Sequence, residues 1–203
     1  MNIALIGITG RAGSRIADEL LRRGHQVTGI ARNPAEVAAR PGLTARQGDA
    51  TDPAALAPLL AGHDAVISAA RFVSTDAKPL LEAVRSAGVP RLLVVGGAGS
   101  LRVAPGVMLI DTPDFPDAYK PEARAGVVFL DALRRETALD WTFLSPSALF
   151  APGERTGKFR IGSDELLADD EGKSWISMED YAIALVDELE SPRHPRRRFT
   201  VGY

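Results

Sequence analysis

Three glycines near the start of the chain have the spacing of a phosphate-binding turn. Gly7, Gly10 and Gly13 lie where an apolar run of strand length, residues 2–8, meets an amphipathic helical segment, residues 11–23. Gly7 permits a tight turn, Gly10 lets a pyrophosphate approach the backbone, and Gly13 lets helix and strand pack closely. Glycine turns also join strands to helices where no ligand binds. The strand before the pattern and the helix after it nevertheless favour a dinucleotide site.

Charged residues after the next two strands indicate which dinucleotide would bind. An NAD-selective protein usually places Asp or Glu about 20 residues after the glycines, where it binds the ribose 2′-hydroxyl. This chain has Arg32 there and Arg11 within the turn, and guanidinium groups pair with a 2′-phosphate. We therefore expect NADP(H) to be preferred over NAD(H), unless Arg32 is only a solvated loop charge. Asp49, after the third strand, is either a hydrogen-bond acceptor for the adenine amino group or a simple turn residue.

A proton-transferring pair used by short-chain dehydrogenases and sugar epimerases is missing. Those enzymes carry Tyr-x-x-x-Lys on one helix, so that the ammonium group helps the phenol to exchange a proton with a substrate hydroxyl. Here Ala123 stands four residues after Tyr119, and Leu185 stands four residues after Tyr181. The sequence therefore gives little support to hydride transfer that must be coupled to protonation of an alkoxide.

Other chemistries are excluded by what the chain lacks. There is no cysteine, and the three histidines are far apart, so neither a thiolate site nor a metal site is expected. The segment from Gly153 to Lys158 has three residues between its glycines where a P-loop needs four, and Phe159 replaces the magnesium-binding hydroxyl. The basic run at residues 196–198 is interpreted as a solvated turn.

The elements that position these residues alternate along the chain. Further strands are predicted at residues 25–31, 43–47, 64–68, 91–95, 141–145 and 198–201, and further helices at 76–87, 121–137 and 181–189 with one more starting at 52–53. This alternation predicts an α/β fold with a single Rossmann-like, doubly wound parallel sheet and helices on both faces. Residues 101–120 are predicted as a long loop, and the irregular residues 151–176 as a small C-terminal substrate cap.

Bulk composition is that of an ordinary globular protein. The chain has 203 residues, which favours one domain over residues 1–203, and a net charge of -2 gives no reason to expect nucleic acid or an anionic membrane as partner. No stretch approaches the ~20 apolar residues of a membrane span, and the N-terminal apolar run lacks the features of a signal peptide. We therefore expect a cytoplasmic protein, either monomer or homodimer, whose partner is a small molecule.

Several segments together resemble a known family. They are I-A-L-I-G-I-T-G-R-A-G-S (3–14), A-R-N-P (31–34), Q-G-D-A-T-D (47–52), V-V-G-G-A-G-S-L (94–101) and the C-terminal run 152–203. The chain resembles the NAD(P)H-binding, atypical short-chain dehydrogenases of the NmrA-like group. It is similar above all to bacterial proteins described as NADH-flavin reductases, and more distantly to the mammalian flavin reductase that also reduces biliverdin-IX-beta. Residues 96–101, 156–162 and 164–167 are the more specific parts of this resemblance.

The resemblance implies a set of cofactor-binding residues. The NADP contacts would be Gly7, Thr9, Gly10, Arg11, Ala12, Gly13, Arg32, Asp49 and Ala50. The ends of three further strands would border the nicotinamide, at Ser68, Ala69, Ala70, Gly96, Gly97, Pro146 and Ser147. Flavin reductases of this family need no tyrosine–lysine pair. The relative's hydroxyl residues after the fifth strand are replaced here by Gly97 and Ala98, which leaves Ser100 and Tyr119 as the weak candidates for a catalytic proton donor.

Two functions follow from the resemblance. The first is an NADPH-dependent reductase of a flat conjugated acceptor such as a flavin or quinone, with the flavin as substrate and not as a bound prosthetic group. Such rings spread the arriving charge, so the protein mainly stacks the acceptor on the nicotinamide and excludes water. The alternative is an NmrA-like redox sensor that binds the dinucleotide without catalysis. A sugar isomerase is a weaker third reading, because both the proton-transferring pair and a sugar-binding domain are absent.

Overall fold

The computed structural model describes all 203 residues, and an eight-stranded sheet lies at its centre. The strands are β1 (Asn2–Ile6), β2 (Gln26–Ala31), β3 (Leu43–Gln47), β4 (Ala65–Ser68), β5 (Arg91–Val95), β6 (Arg102–Ala104), β7 (Val107–Met108), β8 (Asp140–Ser145), β9 (Leu149–Ala151), β10 (Arg160–Gly162), β11 (Trp175–Ser177) and β12 (Arg197–Gly202). The helices are α1 (Arg11–Arg22), α2 (Pro53–Leu60), α3 (Ala77–Ser86), α4 (Lys120–Arg134) and α5 (Met178–Glu190).

The strand order of the main sheet is β10-β12-β8-β5-β4-β1-β2-β3. Seven of these strands are parallel, and their order reverses between β1 and β4, which is the switch point at which doubly wound proteins bind ligands. The predicted α/β Rossmann-like fold is confirmed. One strand of this sheet was not predicted: β10 pairs antiparallel with β12 at the edge of the sheet, and it comes from the segment expected to be an irregular cap. The short strands β9 and β11, which pair parallel in a separate sheet, were not predicted either.

Helices cover both faces of the sheet. Alternate residues of β1 enter different cores, with Ile3 and Leu5 on the side of α1 and α5, and Ala4 and Ile6 on the side of α2, α3 and α4. Each core cluster contains 22 buried residues, so the central strands are buried equally on both faces, as their near-continuous apolar sequence requires. None of the helices is long and apolar enough to cross a membrane.

Side-chain caps fix the starts of two helices, at the predicted position for α2 and three residues before the predicted position for α5. The Asp52 carboxylate accepts the N–H of Ala55 at 3.0 Å, and the Ser177 hydroxyl accepts the N–H of Asp180 at 3.0 Å. These caps satisfy N–H groups that have no partner within their own helices. They fix where α2 and α5 leave the sheet.

The segment before β10 is held against α5 through its backbone. The N–H groups of Thr156 and Gly157 donate to the Asp180 carboxylate at 2.8 and 2.9 Å, and the N–H of Gly153 donates to the Glu179 carboxylate at 2.8 Å. The glycine-containing run therefore uses these amides to bind carboxylates of its own chain. This is a physical reason, beyond its spacing, why it is no phosphate-binding loop.

The region predicted as a long loop contains a small hairpin. Strands β6 and β7 pair antiparallel, and two short 3-10 turns follow, at Leu109–Asp111 and Asp117–Tyr119. The hairpin is joined to residues 164–166 by backbone hydrogen bonds from Arg102 and Leu166. Backbone hydrogen bonds from Leu109 to Leu101 and from Ile110 to Gly99 hold the residues after the hairpin beside the segment that follows β5.

Candidate active site

The glycine turn after β1 contains three glycines, and the packing of the fold requires a glycine at two of these positions but not at the third. Gly7 has a φ of +81°, and a Cβ on it would lie 2.8 Å from the backbone of Ala69. A Cβ on Gly13 would lie 2.2 Å from the carbonyl oxygen of Gly7, so helix and strand could not pack. Gly10 has extended backbone, and a Cβ there would meet only the Gly7 oxygen, at 3.2 Å. The packing of the protein thus does not account for a glycine at position 10 as it does at the other two.

The first turn of α1 presents unused hydrogen-bond donors. Within the protein, the N–H groups of Arg11, Ala12 and Gly13 donate to no acceptor. Such groups, together with the positive end of the helix dipole, attract phosphate. Their position beside Gly10 allows a phosphate to approach the backbone closely.

A cavity of about 210 Å³ opens beside this turn, at the ends of β1, β2, β3 and β4. We call it the cradle. Eight of the predicted cofactor-binding residues lie in its wall, namely Gly7, Thr9, Gly10, Arg32, Asp49, Ala50, Ala69 and Ala70. The predicted residues Arg11, Ala12, Gly13 and Ser68 do not line it, and Ser68 is buried within the sheet. Sequence reasoning missed three polar residues of the wall, which are Arg71, Ser74 and Thr75.

The charges of the cradle suit the 2′-phosphate and the adenine ring of a dinucleotide. The guanidinium groups of Arg32 and Arg11 have no hydrogen bond and no ion pair within the protein. The Asp49 carboxylate accepts hydrogen bonds from the backbone N–H and the hydroxyl of Thr51, at 2.9 and 2.8 Å. These bonds, together with the positive charge of Arg32, hold the pKa of Asp49 below its ordinary range. Asp49 is therefore an ionised acceptor beside an unpaired cation.

A second cavity of about 640 Å³ lies over the ends of β5 and β8, and we call it the acceptor cavity. Its volume is that of a small-molecule site, for which roughly 300–1,000 Å³ is usual. The predicted residues Gly96, Gly97, Tyr119, Pro146 and Ser147 line it. Its wall also contains three aromatic residues and two acidic residues that were not predicted, namely Phe72, Phe115, Phe150, Asp114 and Glu122.

The two glycines at the end of β5 have different roles. A Cβ on Gly96 would lie 2.4 Å from the ring of Phe143 and 2.6 Å from the carbonyl oxygen of Leu144, so the packing of the sheet excludes a side chain. A Cβ on Gly97 would have only the ring of Phe72 nearby, at 3.9 Å. The backbone at Gly97 is therefore open to the cavity, and a flat ring can approach it.

Comparison with known proteins places these two cavities in a family. A model of a family described as NAD(P)H-binding matches residues 7–192, which include all residues of the acceptor-cavity wall and all of the cradle wall except Ile6. This chain belongs to the NAD(P)H-binding family. Its cofactor is accordingly a nicotinamide dinucleotide. The residues present fit that group, because the cradle combines free N–H donors, a position without a side chain and unpaired guanidinium groups.

Solved structures of bacterial members extend over the whole chain. A Burkholderia pseudomallei protein, provisionally named an exported protein, is 50% identical, covers 100% of both chains and has a TM-score of 0.92. A Bacteroides thetaiotaomicron protein provisionally named an epimerase is 41% identical over 100% of this chain and 96% of its own, with a TM-score of 0.94. A Streptococcus pneumoniae protein provisionally named an NADH-flavin reductase is 37% identical over 100% of this chain and 99% of its own, with a TM-score of 0.87. Since one relative is called exported, a cytoplasmic location stays a prediction.

Within this NAD(P)H-binding protein, the loop after β4 connects the two cavities. Arg71 lies in the wall of the cradle, and Phe72 lies in the wall of the acceptor cavity. The Glu122 carboxylate, on α4, accepts the N–H groups of Phe72 and Val73 at 2.7 and 3.2 Å. It also lies 3.6 Å from the Arg71 guanidinium. One carboxylate thus fixes the loop whose residues line both the cradle and the acceptor cavity.

The ring of Phe72 is fixed by packing as well. It lies 5.1 Å from the ring of Phe129 and 5.9 Å from the ring of Phe143. A Cβ on Gly126 would lie 3.0 Å from the Phe72 ring, which is a reason for a glycine in the middle of α4. Phe72 is therefore a rigidly held aromatic part of the acceptor-cavity wall.

The two weak candidates for a proton donor are placed differently by the structure. Ser100 is buried outside the cavity wall, and its hydroxyl accepts a hydrogen bond from the Arg198 guanidinium at 3.3 Å. Tyr119 lines the cavity and is 67% exposed. The nearest lysine in sequence, Lys120, lies 2.6 Å from the carboxylate of Asp117. Tyr119 therefore lacks the lysine partner that short-chain dehydrogenases place beside their tyrosine.

The remaining hydroxyl groups of the cavity have partners. Ser147 donates to the carbonyl oxygen of Val201 at 2.9 Å, and Thr112 donates to that of Leu109 at 2.8 Å. Ser174 accepts the N–H of Ala148 at 3.1 Å, and it is the one residue of the predicted cap segment that lines the cavity. The wall is thus mostly apolar, and few groups in it are free to donate a proton.

Proposed function

We propose that this protein is an NADPH-dependent oxidoreductase that transfers a hydride to a flat conjugated acceptor such as a flavin or a quinone. The observation that carries the proposal is the acceptor cavity itself. It is large, lined by aromatic and glycine residues, and separated from the cradle only by the loop of Phe72. The name of the Streptococcus pneumoniae relative, NADH-flavin reductase, supports the same class of reaction.

In this proposal the residues of the chain position the two reacting rings and shield them from water, and no side chain takes part in the chemistry directly. When bound, NADPH supplies a hydride and leaves as NADP⁺, and one proton from solvent completes the two-electron reduction of the flavin or quinone. Gly97 allows the acceptor to lie close to the backbone at the end of β5. Phe72, Tyr119 and Phe150 offer aromatic surface for stacking and exclude water from the space between the rings.

The absence of a proton-donating pair supports a conjugated acceptor. A sugar or a simple ketone becomes an alkoxide on hydride transfer, and enzymes that reduce it supply a proton in the same step. Tyr119 has no lysine partner, and Ser147 already donates to Val201. The epimerase name carried by the Bacteroides thetaiotaomicron relative therefore has less support in this chain than a flavin or quinone reductase does.

The proposed preference for NADPH over NADH depends on Arg32. Its guanidinium lies in the cradle wall without a protein partner, which leaves it free to pair with a 2′-phosphate. Arg11 adds a second unpaired cation at the start of α1. NAD(H) remains a usable cofactor in this proposal, because every other feature of the cradle serves both dinucleotides.

Steady-state oxidation of NADPH with a panel of riboflavin, FMN and naphthoquinones tests the proposal. We expect turnover with at least one of these acceptors, and weaker turnover with NADH in place of NADPH. Replacing Gly97 with Val provides an informative variant. It should impair the acceptor reaction more than NADPH binding, because most of the affinity for NADPH is expected to come from the cradle. Tight NADPH binding without turnover on any acceptor would contradict the proposal and would favour the alternative, a dinucleotide-binding redox sensor.

A further inference from the structure

We infer that the acceptor of this protein is uncharged, and that anionic flavins and quinones are poor substrates. The inference rests on the proposed function and narrows its substrate class. It comes from the charges around the acceptor cavity. Of the residues in its wall, Asp114 and Glu122 alone carry charge, and no lysine, arginine or histidine lines it.

Three of the cations closest to the cavity in sequence are engaged elsewhere, and a fourth, Arg124, is exposed and lies outside the wall. The Arg71 guanidinium lies in the cradle and faces Glu122 at 3.6 Å. Lys120 pairs with Asp117 at 2.6 Å, and the ammonium of Lys173 lies 5.0 Å from the centre of the Trp175 ring. An anionic group in the acceptor cavity would therefore find no counter-charge in the wall.

The two acidic side chains differ in how they are held. Glu122 is half-buried, and its carboxylate accepts two backbone N–H groups at the inner wall. Asp114 is exposed, and its carboxylate has no partner within the protein. A phosphate or sulfonate brought into the cavity would lose water and meet two like charges, and both effects weaken binding. A neutral ring meets aromatic and aliphatic surface instead.

The acidic wall should bind a neutral acceptor better than an anionic acceptor that has the same ring system. Riboflavin and FMN have the same isoalloxazine ring and differ by one phosphate. 1,2-Naphthoquinone and 1,2-naphthoquinone-4-sulfonate differ by one sulfonate, which is attached to the ring, so that its charge must enter the cavity. We expect the neutral member of each pair to be preferred.

The decisive experiment compares kcat/KM for the two naphthoquinones in the wild type, in Asp114→Asn and in Asp111→Asn. Intrinsic reactivity differs between the quinones, so the informative quantity is the change in their ratio between variants. Asp114→Asn should reduce the preference for the neutral quinone by a few-fold, the size expected for two like charges at a solvated, partly screened site. Asp111 is exposed and lies outside the cavity wall, so Asp111→Asn should leave the ratio unchanged.

A binding experiment separates this inference from the proposed function. Flavin fluorescence reports binding of riboflavin and of FMN to the protein saturated with NADP⁺, whether or not turnover occurs. Tighter binding of riboflavin, with the difference reduced in Asp114→Asn, supports the inference even if no acceptor is reduced. Equal or tighter binding of FMN, no binding of either flavin, or a quinone ratio that Asp114→Asn does not change would overturn it.

Discussion

The cradle and the acceptor cavity lie at the same edge of one sheet, but they are built in opposite ways. The cradle consists of strand ends within the first 75 residues, and its recognition groups are backbone N–H donors and unpaired guanidinium groups. The acceptor cavity is assembled from four separate stretches, around residues 72, 96–99, 109–123 and 146–150, with Ser174 as a fifth contribution. Its wall is aromatic and aliphatic, and its charged residues are acidic.

The difference indicates a division of labour between the two cavities. The cradle leaves polar donors and cations without partners, and such groups recognise a polyanion strongly and with defined geometry. The acceptor cavity has satisfied most of its hydroxyl groups internally and offers surface for stacking. In the proposed function, one region provides affinity for the cofactor, and the other provides shape for an acceptor.

The largest expected effect is that of Gly10→Val on the cradle. The β-branched side chain would occupy the place that Gly10 leaves open for phosphate, and it would displace several charge-assisted hydrogen bonds. Each such bond is worth about 1.5–3 kcal/mol, so we expect NADPH affinity to fall by roughly a hundredfold or more. Fluorescence titration with NADPH, together with thermal unfolding, measures affinity and fold separately.

Gly13→Val is the contrasting variant. A Cβ at position 13 would lie 2.2 Å from the Gly7 carbonyl oxygen, so this change should destabilise the protein itself. Normal NADPH affinity in a folded Gly10→Val variant would show that the glycine turn does not bind the cofactor.

Arg32→Ala should remove the preference for NADPH over NADH. A charge-assisted pair with the 2′-phosphate contributes about 1.5–3 kcal/mol, so the ratio of the two affinities should change by roughly ten- to a hundredfold. Arg46→Ala removes one exposed arginine of β3 outside the cradle wall and is the matched control. If Arg32→Ala retains the wild-type ratio, another group selects the cofactor.

Glu122→Ala should impair reduction of the acceptor without impairing binding of the cofactor. It leaves the N–H groups of Phe72 and Val73 without their acceptor and frees the wall between cradle and acceptor cavity, at a cost of about 1–3 kcal/mol in local stability. We expect kcat/KM for the acceptor to fall by about tenfold, since Phe72 is no longer fixed, with no loss of NADPH affinity. Glu122→Gln keeps an acceptor oxygen and should recover part of the activity. Equal losses in acceptor reduction and in NADPH affinity would mean that the regions are not independent.

The smallest effect is expected for Tyr119→Phe. The phenol has no lysine partner at position 123, and a conjugated acceptor does not demand a proton in the hydride-transfer step. Because phenylalanine keeps the stacking surface, kcat with a flavin or quinone should change far less than the roughly 10²–10⁴-fold that loss of a general acid causes. A thousandfold fall in kcat at unchanged NADPH affinity would instead indicate a carbonyl substrate that Tyr119 protonates.

The contrast between the regions also explains what the sequence could predict. The fold and most of the cradle follow from local patterns, because a strand, a glycine turn and a helix are contiguous and the neighbouring strand ends carry Arg32 and Asp49. The acceptor cavity depends on contacts between distant residues, such as the bond from Phe72 to Glu122 and the approach of its ring to Gly126. Strand β10 was missed for the same reason, since its three residues become a strand only by pairing with β12.

The most direct test of the account is a crystal structure of the protein with NADP⁺ and riboflavin. The account predicts the phosphates at the start of α1, the 2′-phosphate beside Arg32, and the isoalloxazine ring stacked on the nicotinamide next to Gly97 and Phe72. A nicotinamide directed away from the acceptor cavity, or a flavin bound at a site that cannot contact it, would contradict hydride transfer between the two cavities.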